Sequence, residues 1–333
     1  MEEQKALWQR ELRWDYSPSA DLIKRYVDSC ALPGYAAVDR GRAVGYGFYV
    51  YENYKGLIGD VFVSESYRDR NMEAQLLMHV IETLQATPGI RRIEGQLMNL
   101  RQELPCDFSL EQNLRNFRRK FMMLQLKDSQ SQSQNGGTRA DGAASSGTGS
   151  TNRELKGNGI RPVPHPEIKL VAWDARWLSE AAHLIARAYR GHIDSAISDQ
   201  YRSRAGAMHF LDNIINYPGC GTFDAHCSFL AIRKDSSELC GLGLTSVVGD
   251  RVSHITQVCV EPQWQGTGIG RTLVCHIIDK LRERGTTAIS LTVTSSNRHA
   301  IHLYEQLHFA TLREFPAFAW DAPGTETEFN TFA

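Results

Sequence analysis

The sequence predicts an α/β chain of two tandem units, each a mixed β-sheet with helices on both faces. Three observations carry this. The apolar run Ile255 to Val260 is followed by the glycine-rich turn Gln265-Gly266-Thr267-Gly268-Ile269-Gly270, and then by a segment with Ile269, Leu273, Ile277 and Leu281 on one helical face. The same succession of strand, turn and helix recurs around Val61, which points to duplication. Between the copies, residues 127–159 are rich in Ser, Gln, Gly and Asn and almost devoid of large apolar residues. Such a stretch buries too little to offset its ordering entropy, so it reads as a flexible linker between a unit at 1–126 and a unit at 160–333.

The elements follow in order. In the first unit, Asp21 to Cys30 reads as a helix, and Tyr35 to Val38, Ala43 to Tyr51 and Leu57 to Val63 read as strands. Glu73 to Leu84 is a helix, Arg92 to Met98 a strand, and Leu110 to Phe121 a helix leading into apolar Met122 to Leu126. The second unit opens with a strand at Ile168 to Trp173 and helices at Leu178 to Tyr189 and Ala205 to Asn216. Ser228 to Arg233, Leu239 to Val248 and the Ile255 strand are joined by polar turns, as in an antiparallel meander. After the glycine turn and its helix come a β-branched strand at Ala288 to Thr294, a short helix at Ala300 to Leu307, and one or two strands between Phe309 and Trp320.

Composition narrows the function classes. The chain has 333 residues, 37 basic and 38 acidic, for a net charge of −1, which argues against a general nucleic-acid binder. Its seven cysteines show no CxxC or other metal-ligand spacing, so neither a metal site nor a disulfide framework is expected, and a reducing cytoplasm suits them. The charged N-terminus has no apolar signal core, and no run reaches membrane-spanning length.

A glycine turn between strand and helix presents unpaired backbone N–H groups to a phosphate. The dinucleotide pattern G-x-G-x-x-G fails here, because Arg271 or Leu273 stands where the third glycine belongs. The P-loop pattern fails too, since Arg271-Thr272 replaces the Lys-Ser/Thr pair. A second cluster lies downstream, from Asn297 through Ala300 and Tyr304 to Phe309. With Gln265, Gly268 and Gly270 matching Q/R-x-x-G-x-G/A, and Asn297, Ala300, Tyr304 and Phe309 matching N-x-x-A-x-x-x-Y-x-x-x-G-F, the second unit resembles the GNAT superfamily of N-acetyltransferases. His308 departs from the second motif's glycine, at a turn rather than at the chemistry.

The resemblance implies an acetyl-CoA-dependent enzyme that acetylates a primary amine by direct attack in a ternary complex. It implies that backbone N–H groups of Gly266, Thr267, Gly268, Ile269, Gly270 and Arg271 cradle the pyrophosphate, that Val258, Cys259 and Val260 run beside the pantetheine, and that Asn297 holds the same arm. By the same analogy Tyr304 protonates the departing thiolate. The base is open among Glu261, His254, Asp194 and Asp199: Glu261 reads equally as a solvated carboxylate, and His254 as a turn residue. The polar stretch Tyr189 to Tyr201, with His192, Asp194 and Asp199, reads either as a solvated loop or as the lining of a pocket for a cationic amine. Cys259, on a buried strand, reads as a small hydrophobe rather than an acyl-carrying nucleophile.

In the first unit the turn reads Arg68-Asp69-Arg70-Asn71-Met72-Glu73, with Asn71 and Glu73 in place of glycines and Phe117 where a tyrosine is wanted, so this copy looks degenerate. The acceptor, a small molecule or a peptide, and the acyl length stay open. A non-catalytic acyl-CoA sensor or scaffold is the alternative.

Overall fold

The computed structural model describes residues 1–101, 104–126, 164–217 and 219–324. The linker expected at 127–159 lies outside them. The chain opens on helices α1 (Glu2–Leu12) and α2 (Ser17–Asp28). α1 is missing from the sequence reading because Glu, Gln, Lys and Arg dilute its apolar stripe, although Leu7, Trp8 and Leu12 are buried. Strands β1 (Gly34–Asp39), β2 (Arg42–Glu52) and β3 (Lys55–Val63) follow, then helix α3 (Met72–Ala86), strand β4 (Arg92–Gln96), helix α4 (Cys106–Glu111) and strand β5 (Arg115–Gln125).

The second half runs β6 (Ile168–Ala172), α5 (Leu178–Ala188), α6 (Ile193–Ile197), α7 (Arg204–Asn216), β7 (Thr222–Phe223), β8 (Phe229–Arg233), β9 (Leu239–Gly249) and β10 (Val252–Val260). It continues through α8 (Ile269–Glu283), β11 (Ala288–Thr294), α9 (Arg298–Gln306) and β12 (Ala310–Asp321). The tail is thus one long strand.

Among the described residues the strands form one twelve-stranded sheet in the order β1-β2-β3-β4-β12-β5-β11-β10-β9-β8-β6, with β7 paired to β9. The halves therefore exchange strands. β5, from the first half, runs antiparallel between β11 and β12, while β12, from the second, runs antiparallel between β4 and β5. The helix expected at Leu110 to Phe121 is corrected here: α4 ends at Glu111 and the rest is β5. Its Leu, Arg, Lys and Met favour helix in isolation. Phe121, Met122, Met123 and Leu124 are nevertheless buried on both faces of a central strand, and hydrogen-bonding to two neighbours overrides that preference.

Helices cover both faces of the second half. α8 packs Leu273, Val274, Ile277, Ile278 and Leu281 on one face. On the other, α5 and α7 set Leu184, Ile185 and Leu211 against Leu230, Leu242, Leu244 and Cys259. Truncating one such side chain to Ala costs about 2–5 kcal/mol. In the first half, α3 buries Leu76, Leu77, Val80, Ile81 and Leu84 against Ile58, Val61 and Ile93. The halves meet through Trp8, Leu12 and Trp14 against Phe121, Val252, Ala288 and Phe315.

One irregularity positions the site. β10 and β11 pair in parallel only from Val252↔Ala288 to Ile255↔Leu291, although both strands continue. The β10–β9 register shifts between Ile255 and Gln257, leaving Thr256 as a bulge. A bulge bends and twists its strand, so the sheet opens beyond Leu291. β3 and β4 repeat this, pairing only from Lys55↔Arg92 to Ile58↔Gly95, with a register shift opposite Gly59.

Candidate active site

The glycine turn sits at the open end of β10. Gly266 and Gly268 have φ of +79° and +100°, a left-handed backbone that L side chains rarely adopt, and a Cβ at either would enter empty space. Gly268 is the N-cap of α8. Gln265 Nε2 donates to Val260 O at 3.1 Å and Thr267 Oγ1 donates to Trp264 O at 2.7 Å, tying the turn to the strand. The first bond of the helix runs from Thr272 N to Gly268 O, 3.0 Å. The N–H groups of Ile269, Gly270 and Arg271 precede it and face out of the positive helix end, which suits a phosphate. Empty space over two glycines at that end fits a diphosphate cradle.

Across the opening, Asn297 caps α9, its Oδ1 accepting from Ala300 N at 3.2 Å, with its Nδ2 3.2 Å from His192 Nε2. His192 caps α6, its Nδ1 accepting from Asp194 N at 3.2 Å. Asp194 is buried and accepts a hydrogen bond from Thr294 Oγ1 at the end of β11. Tyr304, on α9, is buried beside Phe309, and burial, with the charge of Asp194, pushes its hydroxyl up to about 12. That hydroxyl keeps its proton at neutral pH. Gln257 Nε2 donates to Tyr189 Oη at 2.8 Å, and Tyr189 stacks on Tyr201 with centroids 4.5 Å apart. Burial, together with other neighbouring charges including Asp194, raises both phenols above their ordinary value. The fold thus brings Tyr304, Asn297, His192 and Asp194 together at the opened strands.

Three expected residues stand elsewhere or are occupied. His254 is buried in the junction, its ring 4.8 Å from Trp14 and its Nδ1 2.9 Å from Ser290 Oγ. Burial, with a smaller effect of Arg119, lowers it to about 3, so it is a neutral core histidine and not a base. Glu261 accepts bonds from Arg187 Nε at 2.9 and 3.0 Å and from Nη2 at 2.8 Å, so both carboxylate oxygens are engaged. Asp199 is buried against the first half, accepting from Lys55 Nζ and Tyr54 Oη at 2.8 Å each. It anchors the halves to each other instead of facing an acceptor. The buried Cys259 thiol is pushed up by burial, which disfavours the nucleophilic thiolate. His308 has φ of +64°, the left-handed position after a helix where glycine is usual.

The first half has the same frame with different contents. Asn71 caps α3 with φ of +57°, where Gly268 caps α8. Glu73, 2% exposed, accepts from Arg101 N at 3.0 Å and lies 3.8 Å from Arg68 Nε. A buried carboxylate thus stands in the first turn of that helix, at the position Gly270 holds in α8. Phe117 lies on β5 opposite Ala317, not on a helix matching α9.

Sequence reasoning missed the contributions of Tyr189, Tyr201, Gln257, Thr294 and Arg119. The tyrosines bound the stretch read either as a solvated loop or as pocket lining, and their stacking on each other appears only in the folded chain. Nothing local marks Arg119, because strand exchange carries it into the second half.

The family model for acetyltransferases of the GNAT family matches residues 2–101 and 184–309. The chain is 35% identical over 95 residues to the mycothiol acetyltransferase of Thermobifida fusca, covering 26% of this chain and 29% of that one. It is 39% identical over 80 residues to the ribosomal protein bS18-alanine N-acetyltransferase of Escherichia coli K12, covering 23% of this chain and 53% of that one. The matches therefore span about half or less of these relatives. Among solved structures, a GCN5-related N-acetyltransferase from Sphaerobacter thermophilus superposes with a TM-score of 0.53 at 16% identity, over 84% of this chain and 78% of that one. A tandem GNAT protein from the clavulanic acid biosynthesis pathway gives 0.51 at 13%, over 87% and 83%; at such identities the likeness is one of fold. With the family model matched in both halves, on a sheet that opens twice in the same way, the chain belongs to the GNAT acetyltransferase family.

Proposed function

We propose that the second half transfers an acetyl group from acetyl-CoA to a primary amine, on a small molecule or a peptide, by direct attack in a ternary complex. The observation that carries this reading is a buried Tyr304 in one packed cluster with Val260 and Val293, where the strand pair opens beside a glycine cradle. Acetyl-CoA supplies the activated thioester. The N–H groups of Gly266 to Arg271 hold its diphosphate, the β10 backbone from Val258 to Val260 aligns the pantetheine arm, and Asn297 borders that arm. Tyr304 keeps its proton until a thiolate leaves and then gives it up. Asp194, with His192 beside it, faces the amine as its cation site and proton acceptor. The raised thiol of Cys259 favours direct attack over an acyl-cysteine. The first half, with Glu73 in place of a glycine in its turn, serves as scaffold, and cysteine usage suits the cytoplasm.

Thiol release from acetyl-CoA across a panel of amines tests this. Release should depend on the amine, and Tyr304→Phe should lower kcat by about 10²–10⁴-fold with unchanged acetyl-CoA affinity. Coenzyme A binding without thiol release from any amine would replace the enzyme with an acyl-CoA sensor.

A further inference from the structure

Arg119 is a buried cation that, among the described residues, has no partner of opposite charge. It lies on β5 directly opposite Thr294 of β11, and directly opposed residues point to the same sheet face. That is the face on which Thr294 reaches Asp194. Arg119 is 8% exposed; its Nη2 donates to Thr292 Oγ1 over a long 3.4 Å, and its buried Nε has no partner. The other buried arginines have carboxylates: Arg92 binds Glu94 and Asp321, and Arg68 lies beside Glu73. Among the described residues Arg119 makes no such pair. Its charge also acts on Tyr201 and on His254, so the guanidinium lies on the same side of the sheet as Thr294 and its partner Asp194.

A desolvated guanidinium without a counter-charge is costly to keep, and its planar fork matches a carboxylate in two-point contact. We propose that Arg119 receives the carboxylate of the acceptor, so that the substrate is an amine that also carries a carboxylate, such as an amino acid or short peptide, with its amino end at Asp194. This rests on the amine-acceptor reading above. It also gives the first half a part in the second half's site, because the residue that selects the acceptor arrives on the exchanged strand.

The test uses matched probes that differ only in the carboxylate: glycylglycine against glycylglycinamide, and L-lysine against L-lysinamide. Binding to the full chain is measured by calorimetry with coenzyme A present. The carboxylate member of at least one pair should bind at least tenfold more tightly, and Arg119→Gln should abolish that advantage. Arg119→Lys, which keeps the charge but loses the fork, should retain part of it, and it carries the test if the Gln variant does not fold. Equal binding within both pairs, no binding of any probe, or a preference that survives in the variants overturns the proposal. Thiol release is followed in parallel to separate the two readings. A carboxylate preference in binding without thiol release removes the enzymatic reading and leaves the anion site. Thiol release without carboxylate preference does the reverse.

Discussion

Replacing Gly268 with Ala isolates what the glycine turn does. Gly268 has φ of +100° with no heavy atom within 4 Å of a built Cβ, so Ala meets backbone strain and no clash. Left-handed backbone costs an L residue about 1–2 kcal/mol, which corresponds to a Tm fall of about 1–3 °C for a chain of this length. Gly41, in the β1–β2 turn, has φ of +78° and equally empty surroundings, so Gly41→Ala is a matched control. The variants should lose comparable stability. Only Gly268→Ala places a methyl group where a diphosphate would approach the mouth of α8. Losing one hydrogen bond to a charged group costs about 1.5–3 kcal/mol, which is about 10- to 100-fold in Kd. Calorimetric titration of coenzyme A measures this directly. Equal affinity for Gly268→Ala and Gly41→Ala would refute the cradle, whatever their melting temperatures.

Other perturbations address the rest of the chain. Coenzyme A should bind with a stoichiometry of one per chain, since Asn71 and the buried carboxylate of Glu73 stand in the first turn of α3 in place of glycines; two equivalents in a calorimetric titration would overturn this. The second half expressed alone lacks β5 between β11 and β12, so it should show no cooperative thermal transition by circular dichroism, and a sharp transition would mean the exchanged strand is dispensable. Asp60 is buried and accepts from Gln4 Nε2 at 2.6 Å and Tyr16 Oη at 3.1 Å; burial raises it from 3.8 to about 7. Between those values the folded state holds a proton that the unfolded state releases, so this contribution to stability is full below about pH 4 and is lost as pH rises toward 7. Asp60→Asn should flatten that part of the urea-midpoint profile, and an unchanged slope would assign the titration to another group.

Much of the candidate site was legible because its residues are local. Gln265 to Gly270 and Asn297 to Phe309 each lie within one turn-and-helix unit, so their spacing carries their geometry. The acids were not legible in this way. Asp194 and Asp199 are five residues apart, yet one is held by Thr294 at the end of β11 and the other is locked by Lys55, a residue from the other half. Glu261 follows β10 and His254 lies within it, and their surroundings, Arg187 for one and Trp14 for the other, come from distant segments.

By itself the sequence determined the α/β class, the duplication, and which half keeps its glycines, because periodicity, turn chemistry and φ requirements act over a few residues. Only the tertiary structure decided that β5 and β12 change places, that Leu110 to Phe121 is mostly not helix, and that Arg119 lies opposite Thr294 of the second half. The physical reason is that a central strand is stabilised by neighbours on both sides. Its identity, and the company its side chains keep, depend on segments far along the chain that no local pattern records.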